Sequence, residues 1–278
     1  MTPANLEELQ AAVADCNLIR IRGSRSKEDF EMPYFHDPHE VELSTSKYSG
    51  IIQYDPDDQV VVVRSGTLIE ELQEALRSKS QCLPLPSQPP LNGISGTVGG
   101  MIASNLPHGW SGRVGSIRDW LLGLSVVRAD GTLAKSGSKV VKSVAGYDVH
   151  KMFVGSRGTI GVIADVTLKV FPVRALPPEP ECGGYDASRA LWIQRTLRSH
   201  FAAAVTAMEP MLIGADAESS TLWGHGQGIR LQGDWVLRSH CGELNIEIRD
   251  RTAMELMRRA KVAFDPSSKL NAGALGFL

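Results

Sequence analysis

The chain has 278 residues and a formal net charge of −2, from 29 Lys plus Arg against 31 Asp plus Glu. That balance, with none of the motif words of the common nucleic-acid modules, argues against a nucleic-acid partner. The composition, 42% hydrophobic and 22% charged, is that of a globular chain, and no apolar run approaches the ~20 residues that span a bilayer.

The N-terminus, Met1 to Glu8, lacks a basic stretch followed by an apolar core, so no signal peptide is read there and the cytoplasm is the expected compartment. Leu6, Leu9, Ala12 and Val13 share a helical face between Asn5 and Asn17. Leu18 to Arg22 reads as a strand running into the turn Gly23-Ser24-Arg25-Ser26-Lys27. His36 and His39 are metal-ligand types, but Pro38 breaks any helix that would align them, and no metal site is expected. Ile51 to Tyr54 and Val60 to Arg64 are strands separated by Asp55-Pro56-Asp57-Asp58. The valine run of the second suggests burial on both faces. Thr67-Leu68-Ile69-Glu70 reads as a capping box opening a helix to about Lys79, with Leu68, Leu72, Ala75 and Leu76 inward. A stiff loop through Pro84, Pro86, Pro89 and Pro90 follows.

Three glycine-rich stretches come next. The first is Gly93 to Gly100, running into Met101-Ile102-Ala103-Ser104-Asn105. The second is Gly115-Ser116-Ile117-Arg118-Asp119. The third is Val144-Ala145-Gly146-Tyr147-Asp148, continued by Gly155 to Ile163. Glycine lets backbone approach a ligand and adopt positive φ. Successive N–H groups in such loops form nests for an anion such as a pyrophosphate. Between the loops, Leu121 to Val127 and Thr132 to Lys135 form a hairpin about Asp130-Gly131. Ala164 to Val170 alternates like a half-buried strand.

From Val173 to about Gly184 the chain reads as a linker. Asp186 to Val205 has a helical pattern, and Trp235 to Leu237 and Leu244 to Ile248, with Ile229 to Leu231, read as strands of a small sheet. Thr252 to Phe264 is helical, with Met254, Met257, Lys261 and Phe264 on one stripe. Cys16, Cys82, Cys182 and Cys241 are well separated, with no C-x-x-C, so they read as free thiols and not as a cluster or zinc site. Gly96-Thr97-Val98-Gly99-Gly100 is not G-x-G-x-x-G, which disfavours a nicotinamide dinucleotide fold.

The glycine-rich words, taken in order and spacing, resemble the PCMH-type FAD-binding domain of the vanillyl-alcohol oxidase superfamily. Thr97 to Asn105, Gly115 to Asp119 and Lys142 to Ile163 carry the resemblance, and Val144 to Asp148 is most similar to the glycolate oxidase branch. The resemblance implies an α+β fold: a two-subdomain FAD-binding domain over 1–172 (about 1–64 and 65–172), a short α+β cap over 173–250, and a return over 251–278. The return resembles the family at Phe264-Asp265-Pro266 and Lys269-Leu270-Asn271, with Asn271-Ala272-Gly273 where relatives have Asn-Pro-Gly.

It also implies site residues. Arg22, Gly23, Ser24, Arg25, Ser26 and Lys27, with Pro84, Gly96, Thr97, Val98, Gly99 and Gly100, would enclose the pyrophosphate. Relatives show three glycines where this chain has Gly23, Ser24 and Arg25, so Arg25 or Lys27 would supply charge instead of bare backbone. Ala103, Ser104 and Asn105 would approach the flavin or ribityl chain. Gly115, Arg118 and Asp119 would close the site, unless Arg118 pairs internally. Ala145, Gly146, Tyr147 and Asp148 would lie near the flavin, with Tyr147 either stacking on a ring or filling core. Gly158, Gly161, Val162 and Ile163 would wrap the adenine end.

The cofactor implied is noncovalent FAD. His108 is the one suggestive residue for a covalent link. The cap is short for a substrate site of its own. His225, His240, Arg230 and Arg238 are the residue types a 2-hydroxy-acid oxidation needs, but they form no recognisable constellation, and no catalytic residue is assigned. The leading expectation is therefore a FAD-binding subunit of a 2-hydroxy-acid oxidase or dehydrogenase complex. Its partners would be a second flavin subunit and an iron–sulfur subunit, with peripheral membrane association through that complex. A self-sufficient small-cap oxidoreductase and a non-catalytic flavin-holding subunit are the alternatives.

Overall fold

The computed structural model describes residues 1–26, 37–85, 96–105, 114–138, 147–176, 191–195, 212–216, 221–225, 235–240, 243–248 and 251–272. Helix α1 (Leu6–Asp15) starts at Asn5, whose side chain accepts the Glu8 N–H, and buries Leu9, Ala12 and Val13. Strand β1 (Ile19–Arg22) pairs in parallel with β2 (Val41–Ser44). Strand β2 was not among the expected strands.

Strands β3 (Ile51–Asp55) and β4 (Val60–Arg64) form the expected hairpin, and Val60, Val61 and Val63 are buried. Helix α2 (Ile69–Arg77) buries Leu72 and Leu76. Its expected capping box is absent. Thr67 Oγ1 instead accepts the Gly50 N–H at 2.8 Å. The Ile69 N–H that opens the helix goes to the Gly96 carbonyl at 2.9 Å. The helix start is thus capped by the approach to the first glycine stretch and not by its own side chain.

The short β5 (Gln81–Cys82) is followed by α3 (Val98–Ser104) and α4 (Ile117–Trp120). Strand β6 (Leu121–Val127) turns at Asp130-Gly131 into β7 (Leu133–Gly137), with Gly131 at φ +81°. A 3-10 turn, Val149–Phe153, precedes β8 (Val162–Lys169), and β9 (Phe171–Pro172) pairs with β5. The main sheet is antiparallel throughout, in the order β3-β4-β8-β6-β7. Strand β8 shows the expected alternation, with Val166 and Leu168 buried between half-buried neighbours.

Two apolar clusters organise these elements. One joins Leu72, Leu76, Met101, Ile102 and Trp120 to Val61, Val166 and Leu168 of the sheet. The other joins Leu9 and Val13 of α1 to Ile19, Leu43, Val162 and Leu270. Cys16 and Cys82 are buried free thiols.

Tyr48 ties the sheet to the second cluster. It is buried, and its hydroxyl donates to Asp165 Oδ1 at 2.8 Å, with the Arg64 guanidinium 5.2 Å from its ring centroid. Burial first, then the Asp165 carboxylate, pushes the phenol well above its ordinary value. Tyr48→Phe should lower stability by about 1.5 kcal/mol at pH 7, the worth of a bond to a charged acceptor, read by denaturant unfolding.

Beyond β9, strands β10 (Leu191–Arg195), β11 (Leu212–Asp216), β12 (Thr221–His225), β13 (Trp235–His240) and β14 (Glu243–Ile248) form a second antiparallel sheet, ordered β11-β12-β10-β13-β14. This corrects the helix expected around 186–205. Its described part is a central strand, with Ile193 opposite Trp223 on one side and Leu237 on the other. The apolar spacing admitted either period, and pairing on both flanks decided it. The expected β13–β14 pairing is present, and Ile229 to Leu231 lie outside the described residues. Helix α5 (Arg251–Phe264) brings the chain back. Among the described residues, no helix is long and apolar enough to cross a membrane.

Candidate cofactor site

The turn after β1, the start of α3, the segment 155–163 and the C-terminal return meet at one place. An added Cβ on Gly23 would stand 2.3 Å from Thr97 Oγ1, so the turn after β1 and the first glycine-rich stretch touch only because residue 23 has no side chain. Gly99 presses α3 onto Ser65, where a Cβ would lie 2.7 Å from the Ser65 Cβ. The end of α3 holds the third stretch, since the Ile102 and Ala103 carbonyls accept the Gly155 and Arg157 N–H groups, each at 2.9 Å. Asn105 ends the helix in the left-handed conformation, φ +46°.

The return completes the set. Ile19 and Leu270 form a parallel bridge. Asn271 Oδ1 accepts the Ile21 N–H at 2.6 Å, and its Nδ2 donates to the Arg157 carbonyl at 2.6 Å. Lys261, buried on α5, donates to Asp265 Oδ2 (2.5 Å), the Thr159 carbonyl (2.8 Å) and the Leu270 carbonyl (2.8 Å). Asp265, fully buried, also accepts the Leu270 N–H at 2.8 Å. Lys269 Nζ donates to the Val13 and Cys16 carbonyls at the end of α1. The Lys261–Asp265 pair was not visible as a site feature in the sequence. The only signal was a lysine on an otherwise apolar helical stripe, with an acidic residue four places on.

Part of this chain matches known proteins in sequence. Residues 1–137 match the family described as FAD binding domain. This region belongs to that family. FAD is the cofactor such a domain holds. The chain is 36% identical over 172 residues to glycolate oxidase subunit GlcE of Escherichia coli (strain K12), covering 61% of this chain and 47% of that protein. It is 32% identical over 195 residues to the mitochondrial D-2-hydroxyglutarate dehydrogenase of Rattus norvegicus, covering 66% and 33%. With glycolate oxidase subunit GlcD of Bacillus subtilis (strain 168) it shares 35% over 122 residues, covering 44% and 25%. The matched region spans half or less of each of these relatives.

Several residues around this meeting point take left-handed backbone. Arg25 takes φ +62°, and Arg157 and Gly158 take φ +50° and +74°. The first turn therefore follows a left-handed path of the kind glycine takes most readily. Two buried hydroxyls beside α3 and the third stretch, Ser65 Oγ and Ser156 Oγ, have no partner among the described residues. Among the described residues, the region thus holds more hydrogen-bonding capacity than is used.

Other expected contacts are already occupied by protein. Arg25 pairs with Glu42, so its charge is not free for phosphate alone. The Val98, Gly99 and Gly100 N–H groups go to the Thr67 carbonyl, the Ser65 carbonyl and Thr97 Oγ1. The Asp119 carboxylate accepts the Ser116 N–H and hydroxyl. Arg118 Nη1 donates to the Lys151 carbonyl at 3.4 Å, an internal pairing. Arg22, Ser26 and Pro84 are buried, Ser24, Gly96, Ala103, Ser104 and Gly115 are half-buried, and Gly158, Gly161, Val162 and Ile163 are buried. Tyr147 is 94% exposed, so of its two expected roles core filling is excluded. Lys27, His108, Ala145 and Gly146 lie outside the described residues.

Proposed function

We propose that this chain is the FAD-binding subunit of a 2-hydroxy-acid oxidase or dehydrogenase complex, with its flavin held noncovalently. The observation that carries the reading is the convergence of the β1 turn, α3, the 155–163 segment and the Asn271 return, each made possible by a glycine or a left-handed residue. The names of the relatives support the oxidoreductase class and the 2-hydroxy-acid substrate. In this reading the first turn (Arg22 to Lys27) and Gly96 to Gly100 flank the diphosphate, and Ala103 to Asn105 and Ala145 to Asp148 border the flavin. Gly158 to Ile163 lie at the adenine end. FAD, when bound, supplies the acceptor for the electron pair leaving the substrate carbon. The protein's part is to grip the dinucleotide and to pass those electrons to a partner, an iron–sulfur subunit beside a second flavin subunit. The division at about 172 and 250, with a short cap between, belongs to the same proposal.

The purified protein should be yellow, or turn so with added FAD, and release FAD into the supernatant on heat denaturation. Given glycolate or D-lactate anaerobically, the flavin band near ~450 nm should bleach only with the partner subunits present. Bleaching by the chain alone would replace this reading with a self-sufficient oxidoreductase. Turnover that survives emptying of this chain's flavin site would make it an assembly subunit. A preparation that stays colourless in excess FAD would end the proposal.

A further inference from the structure

The 3-10 turn Val149–Phe153 joins the two arms of the third glycine-rich stretch. Ahead of it lie Tyr147 and Asp148; behind it lie Gly155 and Arg157, which hang on the end of α3. One side chain fastens this turn to the β6–β7 hairpin. His150 is buried, 3% exposed. Its backbone N–H donates to Ser136 Oγ at 3.0 Å, and its ring Nδ1 faces the same oxygen at 3.3 Å. Ser136 Oγ accepts the amide, so its one proton is available to Nδ1, which acts as acceptor. The arrangement suits a neutral imidazole.

The charges around the ring do not favour a cation. On its own turn, Asp148 is already paired with Lys151 at 2.9 Å. Arg118 of α4 reaches over to the Lys151 carbonyl. Lys135 of β7 is exposed and adjoins Ser136 on the opposite face of the strand, and β6 carries no titratable side chain. A proton on Nδ1 would turn the acceptor into a donor, force Ser136 to turn its hydrogen away, and place a buried positive charge beside two cations and one paired anion.

We propose that His150 is a positioning residue for FAD: neutral, it pins the 3-10 turn against Ser136, and protonated, it frees the turn and weakens the grip on the cofactor. The inference rests on the reading that the segments on either side of the turn border FAD. Burial, the largest influence, pushes the imidazole below its ordinary value of 6.5, with Asp148 pulling the other way. The sign follows. An unfolded or released His150 binds a proton as pH falls through 6.5, while the pinned ring resists it, so both stability and FAD affinity are lost toward acid.

The test is a FAD titration of the full chain, followed by flavin fluorescence from pH 8 to 5.5, for wild type and His150→Gln. The wild-type Kd should rise by about twofold to fivefold between pH 6.5 and 5.5, fivefold being the ceiling for one proton with the ordinary imidazole pKa, while the variant stays nearly flat. NMR of the histidine ring in the wild type gives a second readout that needs no variant. By reciprocity, saturating FAD should lower the pH at which His150 titrates. Parallel pH profiles for the two proteins, or a ring titration unmoved by FAD, would overturn the role of His150 and leave the cofactor assignment standing. No FAD binding at any pH would strike down both.

Discussion

Asp265→Asn should cost about 3–5 kcal/mol of stability, the scale found when one partner of a buried ion pair is removed. Lys261 and Asp265 have side-chain exposures of 3% and 0%, so neither charge can turn to solvent. Asparagine keeps the shape but removes the negative charge, and its amide nitrogen would face donors either way: the Lys261 ammonium and Leu270 N–H at the Oδ2 position, or the Lys269 N–H at the Oδ1 position. A loss of this size is a large fraction of the 5–15 kcal/mol that hold an ordinary domain together. The damage should not stay local. Lys261 also holds the Thr159 carbonyl, and Asn271 holds that of Arg157, so the return and the third glycine-rich stretch loosen together. The variant should therefore retain FAD poorly at temperatures where it is still folded. Lys261→Met tests the same network from the other side, and a double-mutant cycle with Asp265→Asn should show strong non-additivity. A denaturant midpoint within about 1 kcal/mol of wild type for both single variants would mean that the pair is worth no more than a surface bridge.

How much of this was legible in the residues depends on the range of the interaction. The valine run of β4, the Asp130-Gly131 hairpin and the alternation of β8 are local patterns, and each is present as read. The glycine-rich words pointed to a cofactor site through bare backbone that a ligand can approach and through an order and spacing that resemble a known family. Their detailed use was less legible. Gly23 and Gly99 serve to press one protein segment onto another, at Thr97 and Ser65, and that depends on residues far away in sequence. The Thr67 capping box failed for the same reason: a hydroxyl placed for a local bond found a better partner in Gly50. The strand β2 carries the unremarkable word Val41-Glu42-Leu43-Ser44, and only its parallel pairing with β1 makes it a strand. The left-handed Arg25 was hidden because arginine advertises charge, not conformation. In β10 an apolar run compatible with a helix was claimed by a strand on each side.

Gly23→Ala should abolish high-affinity FAD binding, weakening it by at least about tenfold, with a smaller loss of stability. The new methyl would sit 2.3 Å from Thr97 Oγ1, 3.2 Å from its Cγ2 and 3.3 Å from its Cβ. Thr97 cannot swing aside freely: it is 1% exposed, and its hydroxyl caps α3 through the Gly100 N–H at 3.1 Å. Either the β1 turn backs away from α3 or the cap is broken, and an overpacked contact of this kind costs about 1–3 kcal/mol. Both routes separate the two segments proposed to flank the diphosphate, so affinity should suffer more than folding. Thr97→Ala gives the control. Alone, it should lose about 1 kcal/mol with its cap. Combined with Gly23→Ala it removes the 2.3 Å contact, leaving only the Cβ at 3.3 Å, so the double variant should bind FAD more tightly than Gly23→Ala itself. That reversal distinguishes a steric wedge from general destabilisation, since a second destabilising change would only add to the first. Equal FAD affinity for wild type and Gly23→Ala would show that the β1 turn and α3 can part without disturbing the cofactor, and the proposed placement of the diphosphate between them would be wrong.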